Sequence, residues 1–236
     1  MEIQQSSLLP DPMLKAYYRF SSGALTTDSS GEAHTLSAVS DPAEDTSGVF
    51  GGAVALDGND GYTTSDHADF KPTGNFSVGG WFKTSASGDQ MIFQSFNYNG
   101  TVLGGILFTL AGANLYLVSY RNTGNVLGTD YQRIISTATV NDGAWHFGVG
   151  TWDGSFLRLY VDGLPANTAV SWTHAPGYRT PNYVRVGMQT DDRGGSAANL
   201  SFFTGSLDDV FFVNGRALSD SEVYNLWNNP TFFYIF

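Results

Sequence analysis

Between Trp145 and Gly163 the chain alternates apolar and polar positions with a period of two, the signature of a half-buried antiparallel strand. Leu157, Leu159 and Val161 fall on one face of this stretch and Arg158 and Tyr160 on the other. Asp153-Gly154 and Asp162-Gly163 punctuate it, and both dipeptides suit the tight turns of hairpins. The stretch therefore predicts strand, turn, strand, turn. The same kind of pattern predicts strands at 14–20, 54–56, 76–83, 91–96, 105–110, 114–120, 134–140, 145–152, 156–161, 184–187 and 206–214. Gly, Asn, Asp and Pro clusters separate them, so a sandwich or barrel is expected.

One helix stands out. Ser219-Asp220-Ser221-Glu222 matches a capping box, with Leu218 and Val223 placed as a hydrophobic staple, and the helix should run to about Trp227 before Asn228-Asn229-Pro230 ends it. Residues 1–12 are polar, unpatterned and contain Pro10 and Pro12, so an extended arm is expected there, followed by one domain over 13–228. Residues 229–236 form an aromatic tail, Thr231-Phe232-Phe233-Tyr234-Ile235-Phe236, that must be buried against its own sandwich or a neighbouring subunit.

Composition narrows the chemistry. The chain has 236 residues and no cysteine, which removes disulfides, thiolate catalysis and Cys-based zinc sites. A net charge of −11 opposes a phosphate-binding surface, so nucleic acid is not an expected partner. No apolar run is long enough to insert in a membrane, and residues 1–7 lack the basic start and apolar core of a signal peptide. Charged residues make up 14%, against about 25% in ordinary globular chains, so the surface must rest on small polar side chains and Tyr.

Taken in order, a set of phrases resembles the laminin G-like, pentraxin-like domains of the concanavalin A-like lectin/glucanase superfamily. They are Leu14-Lys15-Ala16-Tyr17-Tyr18-Arg19-Phe20, Asp28-Ser29-Ser30-Gly31, the run from Phe50-Gly51-Gly52 to Asp57-Gly58-Asn59-Asp60, Phe76 to Lys83, Trp145 to Gly163, and Gly205 to Val210 through Arg216 to Ser219. The resemblance implies an all-β fold, a two-sheet antiparallel jelly-roll sandwich with one concave face and one short C-terminal helix. It also implies a structural Ca2+ at the rim, with Asp28, Asp57, Asp60 and Asp208 as candidate ligands by position. Asx-turns explain Asp28 and Asp57 equally well.

No catalytic signature is present. The glutamates Glu2, Glu32, Glu44 and Glu222 form no strand-borne pair, and Asp191-Asp192 and Asp208-Asp209 are strand neighbours expected to point to opposite faces. His34, His67, His146 and His174 are scattered, with a structural role expected for His146. The chain is thus expected not to be an enzyme. Ligand contact is expected in loops, through Tyr98, Tyr131, Trp172, Tyr178, Arg179 and Tyr183, because aromatic planes suit the apolar faces of sugars.

Two functions fit these features. The first is a non-catalytic, lectin-like recognition module for a glycan or protein partner. The second is a virion structural protein, a capsid decoration or tail-fibre subunit assembling as an oligomer through the arm and tail. An extracellular-type fold without an export signal favours a virion or cell-surface assembly as its location.

Overall fold

The computed structural model describes residues 11–98, 100–193 and 196–229; the expected arm before residue 11 and tail beyond residue 229 lie outside them. Eighteen strands follow in order among the described residues. They are β1 (Leu14–Tyr18), β2 (Ser37–Val39), β3 (Ala43–Gly48), β4 (Gly51–Asp57), β5 (Gly61–Thr64), β6 (Phe76–Lys83), β7 (Gln90–Tyr98), β8 (Leu103–Ala111) and β9 (Asn114–Arg121). The second half contributes β10 (Tyr131–Ile135), β11 (Trp145–Trp152), β12 (Phe156–Val161), β13 (Leu164–Pro165), β14 (Val170–Ser171), β15 (Tyr183–Val186), β16 (Met188–Arg193), β17 (Ser196–Phe202) and β18 (Thr204–Asn214). One helix, α1 (Asp220–Asn228), follows.

The strands form two large antiparallel sheets. A nine-stranded sheet runs β13-β12-β11-β6-β18-β4-β3, with β1 pairing β18 and β14 pairing β12; a seven-stranded sheet runs β10-β9-β8-β7-β15-β5-β2. The fold is the jelly-roll sandwich that the sequence resemblance implies. The two inner faces enclose Val54, Phe82, Phe93, Phe108, Leu117, Leu157, Leu159 and Phe212, all buried. The predicted turns form as expected. Asp153 Oδ1 accepts from the amides of Ser155 and Phe156, and Asp162 and Gly163 both take positive φ, 51° and 77°.

Several segments depart from the sequence reading. The strand expected at 134–140 stops at Ile135, because Ser136 turns its side chain onto the backbone: its Oγ accepts from Leu115 N at 3.0 Å and donates to Ala138 O at 2.8 Å. Strands β2 and β3 lack apolar alternation, being largely exposed edge strands. The Asp208-Asp209 neighbours do not point to opposite faces. A bulge between Asp208 and Phe211, with Asp209 at φ 49°, places the two carboxylates on the same side, where Asp208 lies opposite Trp81 and Asp209 accepts from Tyr17 Oη at 2.8 Å.

Helix α1 begins as its sequence predicts, with Ser219 as N-cap and the complete capping box to Glu222. It lays Val223 and Leu226 over the outer face of the nine-stranded sheet, against Tyr17, Trp81, Phe147, Val149 and Phe211. No helix among the described residues is long and apolar enough to cross a membrane.

Candidate functional site

The outer face of the seven-stranded sheet carries a second apolar layer, over which no helix lies among the described residues. Its floor is Met91, Phe96, Leu107 and Val118, and around it stand Tyr98, Leu103, Tyr116, Tyr120 and Tyr131. The register explains this grouping. Tyr183, Phe96, Gly105, Tyr120 and Tyr131 are direct partners in one row across β15, β7, β8, β9 and β10. The next row reads Arg185, Gln94, Leu107, Val118 and Arg133, with a cation at each end.

Gly105 makes the aromatic row continuous. A Cβ at this position would lie 2.0 Å from Ser95 O, so only glycine fits, and the bare backbone lets the Phe96 and Tyr120 rings approach across an intervening strand to 5.4 Å. Tyr120 then stacks on Tyr131 at 4.9 Å with planes 28° apart. Arg133 lies over the Tyr116 ring at 5.8 Å, and Arg185 over Tyr183 at 5.0 Å, so each guanidinium is held by an aromatic face. Burial, and secondarily the neighbouring Tyr131, push the Tyr120 phenol up to about 12, which keeps it a neutral hydroxyl.

A groove of about 200 Å³ runs over this face. Met91, Leu107 and Val118 floor it, Tyr116, Tyr120 and Tyr131 wall it, and Asp89, Thr109, Arg133 and Gln189 supply polar groups. Such a mixture of flat apolar planes and a few hydrogen-bonding tips suits a ligand that is itself amphipathic. A larger open depression of about 630 Å³ lies at the start of α1. Its polar groups are already joined to one another, Arg158 to Asp153 and Tyr160 Oη to Asp220 at 2.8 Å.

The residues expected to touch ligand divide. Tyr98, Tyr131 and Tyr183 share the sheet face. Arg179 stands beside it, its Nη1 donating to Asn122 Oδ1 at 3.2 Å. Trp172 and Tyr178 are corrections to the expectation of accessible loop aromatics. Trp172 is 3% exposed and belongs to the core, where its carbonyl accepts from Trp152 Nε1. The Tyr178 ring packs against that core and its hydroxyl is buried, which raises its pKa well above the usual phenol value. The loop folds inward because Gly177 docks on β9, donating from N to Tyr120 O at 2.8 Å, where a Cβ would meet Arg121 O at 2.1 Å.

Tyr116, Tyr120, Arg133 and Arg185 were missed as site residues. Their signal was the alternation of Tyr116, Val118 and Tyr120 against Leu115 and Leu117, which marks an outward face as clearly as an inward one.

The four aspartates weighed as calcium ligands are not gathered. Asp28 organises its own loop, accepting from Tyr17 N, Ser30 N, Ser30 Oγ and His34 N at 2.8 to 3.0 Å. Asp57 and Asp60 form a local turn, Asp57 N donating to Asp60 Oδ1 at 3.0 Å, and burial raises the Asp60 pKa. Asp208 is buried elsewhere and accepts from Val49 N at 2.9 Å. Four carboxylates so dispersed do not fit one calcium cage, which needs six to eight convergent oxygens. Among the described residues, the group of three or more His, Asp or Glu with ligand atoms within 4.8 Å of one another is His34, His67 and Asp69.

A laminin G family model, described as the concanavalin A-like lectin/glucanases superfamily, matches residues 57–224. The chain is similar to domain 4 of AbnA, a GH43 extracellular arabinanase from Geobacillus stearothermophilus, solved in complex with arabinotriose. The TM-score is 0.65 at 17% identity, covering 90% of this chain and 97% of that one. It is also similar to the botulinum neurotoxin serotype G binding domain, with TM-score 0.66, 15% identity, and coverage of 92% and 51%. A structure of botulinum neurotoxin type C, whose cell entry depends on two ganglioside molecules, matches with TM-score 0.67 at 13% identity, again over 92% and 51%. The chain thus spans about half the length of these neurotoxin structures, and identities this low speak for shared fold alone. No curated protein sequence matches the chain.

Proposed function

From the premise that the chain belongs to the laminin G-like family of the concanavalin A-like lectin/glucanase superfamily, we propose that it is a non-catalytic recognition module that binds a glycan across the outer face of the seven-stranded sheet. The observation that carries this reading is the row Phe96, Tyr120 and Tyr131, the first pair tilted and the second stacked, beside a groove with polar tips. Tyrosine planes cover the C–H faces of a sugar ring, while Arg133, Asp89, Thr109 and Gln189 stand where hydroxyls would need partners.

The carboxylate inventory supports binding without turnover. Among the described residues Asp89 is the one carboxyl group lining the groove, whereas glycosidic cleavage ordinarily uses two flanking the scissile bond. Of the similar structures, one is described in complex with arabinotriose and another belongs to a toxin whose cell entry depends on two ganglioside molecules, which supports a glycan over a protein as the partner.

Titration calorimetry with arabinotriose and with a ganglioside oligosaccharide, after a glycan array, tests the proposal. Tyr131→Ala should weaken binding of whichever glycan is found by roughly 30-fold, the worth of an interface hot spot of about 2 kcal/mol. The melting temperature should move by no more than a few degrees, since Tyr131 is half-buried on an edge strand. An array without a single binder, or undiminished affinity in both Tyr131→Ala and Tyr116→Ala, would overturn the assignment.

A further inference from the structure

A cluster apart from the groove has the chemistry of a metal site. His34 comes from the loop before β2, while His67 caps the 3-10 turn Ala68–Phe70 and Asp69 lies within it. Asp69 Oδ2 sits between two imidazole nitrogens, 2.8 Å from His34 Nε2 and 3.0 Å from His67 Nδ1. His67 Nδ1 also accepts the Asp69 amide hydrogen at 3.3 Å. The three ligand atoms thus converge on one place beside the turn.

We propose that His34 Nε2, His67 Nδ1 and Asp69 Oδ2 bind one divalent transition-metal ion of the zinc class, with a fourth coordination position left toward solvent. The donor set decides the class. Two imidazoles and one carboxylate suit zinc and its first-row neighbours, whereas calcium and magnesium take nearly all-oxygen shells. Bonds of about 2.1 Å in a tetrahedron set the ligand atoms roughly 3.4 Å apart. The three atoms here lie within 4.8 Å of one another, so small side-chain rotations complete the geometry.

The ligands are held from behind. The His34 amide donates to Asp28 Oδ2 at 2.8 Å, its carbonyl accepts from Tyr18 Oη at 2.9 Å, and its ring packs on Phe70 at 4.8 Å. The Asp69 carbonyl accepts from Asn214 Nδ2 at 2.9 Å. Asp28 thus acts as a positioning residue for this site, fixing the loop that presents His34. Lys15, the nearby cation, is engaged by Glu32 at 2.6 Å. The His34 and Asp69 side chains are 10% and 22% exposed, but His67 is 54% exposed, so an ion can enter along its side. His146 shows the contrast. Its two nitrogens face Asp162 and Asp142 on opposite edges of the ring, a brace whose ligand atoms diverge.

The test uses the full chain after chelation, with Zn2+ as the probe. Calorimetry should show one Zn2+ per chain with a dissociation constant near or below about 1 μM, and Zn2+ should raise the melting temperature. Co2+ in its place should give the visible absorption of a low-symmetry site with nitrogen ligands. His67→Ala and Asp69→Asn, each first shown to fold by circular dichroism, should weaken Zn2+ binding at least about 100-fold, beyond the loss expected for outer-shell changes. His174→Ala should leave binding unchanged. Absence of saturable one-to-one binding, or equal binding by wild type and His67→Ala, would overturn the proposal.

Discussion

The two sheets present outer faces of similar apolar build and opposite fate. On the nine-stranded sheet, Leu14, Tyr17, Trp81, Phe147, Val149 and Phe211 are sealed by Leu218, Val223 and Leu226 from the helical end of the chain. On the seven-stranded sheet, no helix among the described residues lies over Met91, Phe96, Leu107 and Val118, which are buried instead beneath a fringe that includes Tyr98, Tyr116, Tyr120 and Tyr131. The sealed layer is dry enough that its polar groups pair with one another, as Tyr17 Oη does with Asp209 at 2.8 Å. An open layer must end in groups that tolerate water, and tyrosine and arginine do so while keeping an apolar body against the sheet. The difference is what points the proposed glycan surface to the seven-stranded sheet.

Removing the seal should have the largest effect. Leu226→Ala deletes a buried side chain from α1 and should cost about 2–5 kcal/mol, lowering the melting temperature by roughly 5–15 °C in scanning calorimetry. Glycan binding by the folded variant should persist, since the groove lies on the other sheet. Loss of both together would show the two faces to be coupled and break the contrast.

Acidity offers the next lever. Burial first, and then the charge of Asp209, push the Asp208 carboxyl up to about 7, and burial pushes Asp209 up to about 6, from an ordinary value of 3.8. A carboxyl whose pKa rises on folding holds its proton more tightly in the folded chain. The contribution of this pair to stability is therefore greatest when both are protonated and is lost as pH climbs through about 6 to 7. Urea titrations should show the sealed face weakened by roughly 2–3 kcal/mol between pH 5 and pH 8. Asp208→Asn should flatten that slope, and an unaltered slope would mean that the pair ionises freely.

The smallest effect sharpens the comparison at the helix entrance. Ser219→Ala removes the side chain that accepts from the Glu222 amide and should cost about 1 kcal/mol, a fall of roughly 2–4 °C. A null result would assign the seal wholly to Val223 and Leu226.

Much of the architecture was legible where one face of a strand is buried. β6, β11 and β12 were read with their observed limits, and the capping box located α1, because alternation and cap chemistry are local properties. The edge strands β2 and β3 escaped notice since their exposed side chains need no pattern. The bulge at Asp209 was equally hidden, and it inverted the expected direction of a side chain.

The candidate sites were less legible for a related reason. Loops were given priority, yet Trp172 turned inward while Tyr116 and Tyr120 stood on regular strands. Histidines that are scattered along the chain meet in space, with His34 and Asp69 35 positions apart and joined only by the docking of the 3-10 turn. Long-range convergence of that kind leaves no local trace.

The bare backbone at Gly105 has a further consequence for how a partner would be measured. The Phe96 and Tyr120 backbones stand two ladder spacings apart, roughly 10 Å, yet their rings close to 5.4 Å over the glycine. An extended partner laid crosswise to the strands would thus be gauged by rings drawn together over Gly105 and not by the wider interval of the main-chain ladder.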